Sequence, residues 1–292
     1  MRKLATIVLV VVCLLASAVA GDKPDTAISP YLLLQQTTLN NAKAVAYPGL
    51  VSEFKNIASS VNSENYWLAG SGITGNSYDL YFVSPLSNFA EVGKMMKSFE
   101  QVYQAIKVKN ASLVDQFAEA EMVTRSSIWE YVPTLSYIPD KVDTAHATHW
   151  MVYTFHIKPG TMSSFSGLVH ERADLIKKSN ADEHWIAYRS VAGTDTAMMF
   201  VIPVASLSEL DADNSMAMKS VMTPVVREHL ESLVQQTTTK IESQLLMVRP
   251  ELSRPNPQIV AANPDFWTVK EPVVSAEKKV KKAKKTEAEI GK

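Results

Sequence analysis

The sequence predicts an α+β fold in which one βαββαβ unit occurs twice in tandem, and three observations lead to it. Residues 47–92 align without a gap on residues 165–210 at a constant offset of 118, with twelve identical pairs among 46. Both segments carry the same order of helix, hairpin and helix patterns. The two copies also end alike, in PTLS at Pro133–Ser136 and PELS at Pro250–Ser253. A tandem duplication accounts for all three observations.

Each copy opens with a strand pattern and continues into a helix. The strands are YLLLQQTTL from Tyr31 and HWMVYTFHI from His149. In the helix that follows, apolar residues recur at the spacing that marks one buried face. In the first copy these positions are Leu50, Phe54, Ile57 and Val61.

A hairpin comes next, with its turn at Gly75-Asn76 or Gly193-Thr194. Glycine in the first central position suits a type II′ turn. A two-residue turn would place Ala187 opposite Phe200 and Arg189 opposite Met198. Because side chains alternate between the faces of a strand, Trp185, Ala187 and Phe200 should then share one packed face.

A broken helical stretch and a last strand complete each copy, and the order βαββαβ is ferredoxin-like. We place the first unit at residues 30–138, a linker at 139–147 and the second unit at 148–253. A ferredoxin-like unit leaves one sheet face uncovered by its helices. Two units in one chain can bury these faces against each other, which predicts an intrachain pseudo-dimeric α+β barrel.

The ends of the chain differ in composition from these units. Residues 1–20 combine Arg2 and Lys3, an apolar run and a small-residue cleavage site, a pattern typical of a secretory signal peptide. We therefore expect a periplasmic or secreted protein, with an uncleaved membrane anchor as the alternative. The one cysteine, Cys13, lies in this segment, so the mature chain would contain no disulfide.

Residues 254–292 are rich first in proline and then in lysine, with six lysines between Lys278 and Lys285. This composition predicts a disordered tail, which could contact an acidic envelope surface or partner electrostatically. The tail has nine basic and five acidic residues, and Arg2 and Lys3 add two positive charges. Because the whole chain has a net charge of −1, residues 21–253 have a net charge of −7. An acidic body argues against nucleic-acid binding.

The second copy carries the pattern Tyr153-x-Phe155-x-Ile157-Lys158-Pro159-Gly160 before its helix and ends in Val248-Arg249-Pro250. These residues resemble the dimeric α+β barrel superfamily, particularly its NIPSNAP-like and antibiotic-biosynthesis-monooxygenase-like branches, over both copies. The resemblance implies a barrel with a small-ligand cavity between sheet and helices in some members. It implies haem binding or cofactor-free oxygenation in others, and no known chemistry in many.

The sequence contains no nucleophile elbow, P-loop, dinucleotide-binding glycine pattern or H-E-x-x-H motif. His146 and His149 have no third ligand nearby in sequence, so we expect no metal site. Comparison of the copies offers a finer criterion. Residues kept in both copies should be scaffold, whereas polar residues found in one copy are candidates for a site.

The second copy has Tyr188 and Arg189 where the first has Gly70 and Ser71, and Arg172 where the first has Phe54. We expect Arg172 to point inward, where it would pair with Glu171 or Glu183 or converge with Arg189 on an anionic ligand. Two first-strand residues, Tyr153 and His156, complete the candidates for ligand binding. By alternation they lie on opposite faces.

Two hypotheses of function follow. The favoured one is a non-catalytic small-ligand-binding or interaction module without a cofactor, either a monomer with an intrachain barrel or a homodimer. Its ligand would be small and anionic or aromatic. The alternative is a cofactor-independent or haem-linked monooxygenase-like enzyme with its site in the second copy. The resemblance implies an Asn, a Trp and a helical His for haem-degrading members; His229 is a candidate for the last, but the first strands lack the matching Asn. A fold alone does not choose between them.

Overall fold

A computed structural model describes residues 28–211 and 214–269. The predicted signal peptide with Cys13 and the Lys-rich segment from Lys278 lie outside these residues. Within the described residues, no helix is both long and apolar enough to cross a membrane.

The first half of the chain forms four strands and three helices. Its long second helix begins at Asn88, whose side chain accepts a hydrogen bond from the amide of Glu91 at 3.2 Å. The side chain of Glu91 in turn accepts from the amide of Ser87 at 2.6 Å. The amides of Ser87 and Glu91 are thus both satisfied by side chains at this end of the helix. The elements are β1 (Tyr31–Leu39), α1 (Tyr47–Ser60), β2 (Leu68–Gly72), β3 (Asp79–Leu86), α2 (Phe89–Lys109), α3 (Ser112–Ala120) and β4 (Glu121–Tyr131).

The second half repeats this order, with a more divided helical stretch after its hairpin. The last helix begins at Pro224, as the sequence predicts, because proline lacks only an amide that a first helical turn does not use. Thr223 caps it by accepting from the amide of Val226 at 3.3 Å. The elements are β5 (His149–Ile157), α4 (Met162–Ser179), β6 (Ile186–Ala192), β7 (Ala197–Val204), α5 (Ser208–Asp211), α6 (Asn214–Lys219), α7 (Pro224–Thr237) and β8 (Thr238–Val248).

The eight strands close into one antiparallel barrel in the order β1-β3-β2-β8-β5-β7-β6-β4. Within each half, the spatial order of the strands is fourth, first, third, second, which is β4-β1-β3-β2 in the first half and β8-β5-β7-β6 in the second. The halves are joined at two seams, β2 with β8 and β4 with β6. The predicted α+β fold with a closed intrachain barrel is therefore confirmed.

The hairpin register also agrees with the prediction, since Ala187 pairs with Phe200 and Arg189 with Met198. Gly193 and Gly75 both have positive φ, at 88° and 81°. Gly193 is additionally pressed against β4, where a Cβ atom would lie 2.2 Å from the carbonyl oxygen of Ser126. Glycine is therefore required there by space as well as by backbone conformation.

The barrel interior is filled by apolar side chains from all eight strands. At the β2–β8 seam, a Cβ atom on Gly70 would lie 3.0 Å from the indole of Trp150. The glycine thus makes room for a large side chain from the other half of the chain. The interior is a packed core rather than a channel.

The outer face of the barrel packs under the helices. Trp185, Ala187 and Phe200 are buried there, which confirms the predicted shared face. The two equivalent tryptophans make the same hydrogen bond. The indole of Trp67 donates to the carbonyl of Leu252 at 2.8 Å, and that of Trp185 donates to the carbonyl of Leu135 at 2.7 Å.

The beginning of the predicted disordered tail is folded, which corrects the expectation for residues 254–269. Two short helices, α8 (Pro257–Ala262) and α9 (Pro264–Trp267), interrupt the proline-rich segment. Trp267 is 5% exposed, packs on the interior core and donates to the carbonyl of Ala145 at 2.8 Å. Burial of its large apolar ring accounts for the order of this segment.

Candidate functional site

Arg172 does not point inward, so this expectation was wrong. Its side chain is 47% exposed and donates to Glu183 at 2.9 Å, which is one of the two partners expected for it. In the first half, Phe54 contacts Trp67 at a ring separation of 6.0 Å. In the second half, Tyr137 from the connecting segment stacks on Trp185 at 5.1 Å instead. The indole is therefore covered without an aromatic residue at position 172.

Arg189 is likewise exposed and bound to its own carboxylate. Its Nε donates to Glu130 at 2.6 Å across the β4–β6 seam, where the two residues are direct neighbours. The two arginines thus bind separate carboxylates and do not converge on one anion site. Exposed pairs of this kind contribute roughly 0 to 1 kcal/mol each to stability.

Tyr188 is a packing residue of the barrel interior. It is 4% exposed, and its ring lies 6.0 Å from that of Tyr131 across the seam. Burial, assisted by the neighbouring Tyr131, raises the pKa of its hydroxyl well above the ordinary value. The difference between Gly70 and Tyr188 therefore reflects the packing at the two seams. Gly70 leaves room for the indole of Trp150 at one seam, whereas Tyr188 packs its own ring against Tyr131 at the other.

Tyr153 and His156 lie on opposite faces of β5, as alternation predicts. Tyr153 packs with the outer core beneath the helices. His156 faces inward at the end of the barrel where β1 and β5 terminate, which we call the barrel mouth. Its ring contacts Asp195 and Glu242. The structure therefore does not bring the five candidate residues into one site.

The layer between sheet and helices in the second half is filled by aromatic rings. Phe165 is fully buried, and its ring lies 5.3 Å from that of Phe155 and 6.2 Å from that of Phe200. Trp185 adds a further contact to Phe200 at 6.4 Å. Aromatic side chains therefore occupy the described part of this layer around Phe200.

The equivalent layer of the first half contains an open pocket instead. It lies between the β1–β3–β2 sheet and the start of α1 and has a volume of about 90 Å³. That volume is below the roughly 300 to 1,000 Å³ of pockets for drug-sized ligands, so it suits only a very small ligand. We call it the first-half pocket; its lining residues are Leu39, Ala44, Tyr47, Pro48, Ser71, Ser77, Tyr78, Leu80, Arg249 and Leu252.

Arg249 is the charged side chain of the pocket lining, and it is paired with Glu251. Its guanidinium contacts this carboxylate through Nε at 2.6 Å and through Nη2, and its Nη1 donates to the hydroxyl of Ser71 at 3.2 Å. The side chain is 28% exposed, and a guanidinium has five N–H donors, so donors remain for a ligand. Lys55 holds the segment in place by donating to the carbonyls of Glu251 and Ser253 at 2.6 and 3.1 Å.

Tyr47 forms the buried wall of the pocket at the first turn of α1. Its hydroxyl donates to Glu121 at 2.7 Å. Burial raises the pKa of this hydroxyl far above its usual value, and the charge of Glu121 raises it further. The hydroxyl of Tyr47 therefore stays neutral and donates to Glu121, and the residue contributes its ring to the pocket wall.

The sequence comparison missed this pocket because it used only the gap-free part of the alignment and sought polar residues of the second copy. Arg249 meets that criterion, since the first copy has Val132 there, but it lies after the one-residue slip before the last strand. Tyr47 is found by the opposite comparison, since the second copy has Phe165 at that position. Small Ser71 in place of Arg189 then leaves space beside the guanidinium.

The described residues do not fit a haem group in the second half. The layer that would receive it is filled by aromatic rings, and His229 is engaged with Glu171 at 3.0 Å. His146 and His149 bond to Asp143 and Thr148 respectively. Across residues 28–211 and 214–269, no group of three His, Cys, Asp or Glu side chains is placed to hold a metal ion.

Among comparisons with known proteins, only the comparison with solved structures finds similar proteins. No protein-family model matches the sequence, and no curated protein matches it. The structure is similar to an anthrone oxidase-like protein, with 15% identity, a TM-score of 0.49, and coverage of 76% of this chain and 94% of the other. It is also similar to a mutant chlorite dismutase from Candidatus Nitrospira defluvii, with 8% identity, a TM-score of 0.48, and coverage of 81% and 96%. The fold assignment rests on the strand order of this chain, and the NIPSNAP-like branch stays a prediction.

Proposed function

We propose that the protein is a non-catalytic binding module, and that its first-half pocket takes a small anion with an apolar part. One observation carries this: the partly exposed guanidinium of Arg249 stands beside an apolar wall formed by Leu39, Leu80 and Leu252. A carboxylate or phosphate suits a guanidinium, because both can accept paired hydrogen bonds. The apolar wall would bind the hydrocarbon or aromatic part of the same molecule.

The chemistry of the pocket favours binding over the monooxygenase-like alternative. Its lining residues include no histidine, carboxylate or thiol, and the hydroxyl of Tyr47 is committed to Glu121. A general base must lie within hydrogen-bond reach of the proton that it removes. The lining therefore supplies mainly orientation and charge, and the exposed hydroxyl of Tyr78 is its one further side chain of a type used in proton transfer.

We also propose that the two halves are duplicated ferredoxin-like units and that the chain is exported. The identical strand order of the halves and the aligned sequence support the first point. The pattern of residues 1–20 supports the second. Closure of the barrel within one chain favours a monomer, and the Lys-rich segment would supply electrostatic contact with the envelope.

The binding proposal is tested by calorimetric titration of the full-length protein with hexanoate, benzoate and inorganic phosphate. We expect the organic carboxylates to bind more tightly than phosphate, because phosphate has no apolar part. Arg249→Gln should weaken carboxylate binding roughly 10- to 100-fold, since hydrogen bonds to charged groups contribute about 1.5 to 3 kcal/mol.

Arg172→Gln and Arg189→Gln are matched controls, because both remove an exposed, ion-paired arginine of the second half. They should leave carboxylate affinity unchanged. Loss of affinity in these variants, with Arg249→Gln unaffected, would move the site to the second half. Absence of binding by all three probes would refute the ligand class.

A further inference from the structure

The ring of His156 is held between two carboxylates at the barrel mouth. Its Nδ1 lies 2.9 Å from both oxygens of Asp195, and its Nε2 lies 3.2 Å from Glu242. An ionised carboxylate only accepts hydrogen bonds, so each ring nitrogen must donate. This geometry is therefore complete only for the doubly protonated imidazolium.

The two carboxylates come from different parts of the barrel. Asp195 belongs to the β6–β7 loop (residues 193–196), whereas Glu242 lies in β8. Lys240 of β8 also bonds to Glu242, and Thr194 donates to Asp195 at 3.0 Å. On the β7 side, the residue opposite His156 is the uncharged Ala197. The imidazolium thus joins a loop to two strands, with one lysine as the other nearby charge.

The charges around the ring favour its protonated state. Burial alone lowers the pKa of His156, but hydrogen bonds and charge from Asp195 and Glu242 outweigh burial and raise it above the ordinary 6.5. The pKa of Asp195 is lowered mainly by its hydrogen bond to His156. Burial raises the pKa of Glu242, but Lys240 and His156 lower it overall.

The first half holds its corresponding hairpin without a titrating group near neutral pH. Thr38 stands in place of His156 and donates to Asp79 at 2.6 Å. Gln36 and Asn76 also donate to Asp79, each at 3.0 Å. The β2–β3 loop (residues 73–78) is therefore secured by neutral donors. The β2–β3 loop, where Thr38 replaces the histidine, is therefore an internal control for the effect of His156 on the β6–β7 loop.

We propose that His156 is a pH-sensitive clamp that fixes the β6–β7 loop over the barrel mouth. When the ring is protonated, it ties Asp195 to β5 and β8. When it loses a proton, one nitrogen becomes an acceptor that faces a carboxylate, and one tie is lost. The raised pKa means that this stabilisation is complete below pH 6.5 and is lost as pH rises through the folded-state value.

Hydrogen exchange of the full-length protein at pH 6 and pH 8.5, corrected for intrinsic rates, tests the clamp. We expect residues 193–196 to open roughly three- to tenfold more often at pH 8.5, because the loss of one hydrogen bond weakens the hold on the loop by a factor of this order. Residues 73–78 should show no such change. His156→Gln should remove the pH dependence in residues 193–196, and the control His149→Gln should keep it.

An NMR titration of the His156 ring in the wild-type protein provides a second test that does not depend on a folded variant. We expect a midpoint above 6.5. A midpoint at or below that value would overturn the proposal. So would equal exchange of residues 193–196 at both pH values, or an unchanged pH dependence in His156→Gln.

Discussion

The two halves of this barrel share a scaffold and differ in whether the layer beneath their helices is open. Phe165 closes the second-half layer with a cluster of aromatic rings, whereas its counterpart Tyr47 borders the first-half pocket. The tryptophans that anchor each layer, Trp67 and Trp185, are buried alike and bond alike. A few side chains at the edge of two similar cores thus separate a packed layer from one with a small pocket.

The largest expected effect tests the shared part of this comparison. Trp67→Ala and Trp185→Ala should each destabilise the protein by about 4 kcal/mol, because each removes a buried indole and leaves a carbonyl without its donor. Urea unfolding would measure both. A difference above about 1 kcal/mol, half the spread typical of such substitutions, would show that the two anchors are not equivalent.

A smaller effect separates the two hairpin loops. Gly193→Ala should cost about 3 kcal/mol, because it combines a positive φ with overlap against the backbone of β4. Gly75→Ala has open space around its Cβ position and should cost about 1 kcal/mol for the backbone conformation alone. Equal losses in chemical unfolding would mean that β4 moves aside easily, which would contradict tight contact at Ser126.

The smallest effect concerns the exposed arginines of the second half. Arg172→Gln and Arg189→Gln should each change the free energy of unfolding by less than about 1 kcal/mol, and 1 M salt should reduce the difference further. Thermal unfolding at low and high salt would measure it. A loss of several kcal/mol would place these guanidiniums in buried networks instead of on the surface.

The fold was largely predictable because the alignment of the two halves supplied two readings of most elements. It located the hairpin glycines, and their positions determined the pairing of Ala187 with Phe200. The seams were not readable in the same way, since the pairing of β2 with β8 joins residues more than 170 positions apart. The segment after residue 254 was partly predictable, since its composition indicates disorder whereas Phe266 and Trp267 are side chains expected to hold it against the barrel, as the buried ring of Trp267 does.

The candidate site was less predictable, because it depends on side-chain reach and volume. Helical spacing placed Arg172 on the buried stripe, but a long cation can extend from such a position to a surface carboxylate. His156 was correctly placed on the face opposite Tyr153. Its partners lie 39 and 86 residues away, so the alternation of one strand could not reveal them.

The two seams have a consequence for how the chain reaches its native state. Either half alone would end in two unpaired edges, at β2 and β4 or at β6 and β8, and such edges attract other chains. The short connection at residues 139–147 keeps each half at a high effective concentration for the other. Correct assembly inside one molecule then competes well with intermolecular pairing, even in dilute solution. Joining both halves in one chain thus also protects against aggregation during folding.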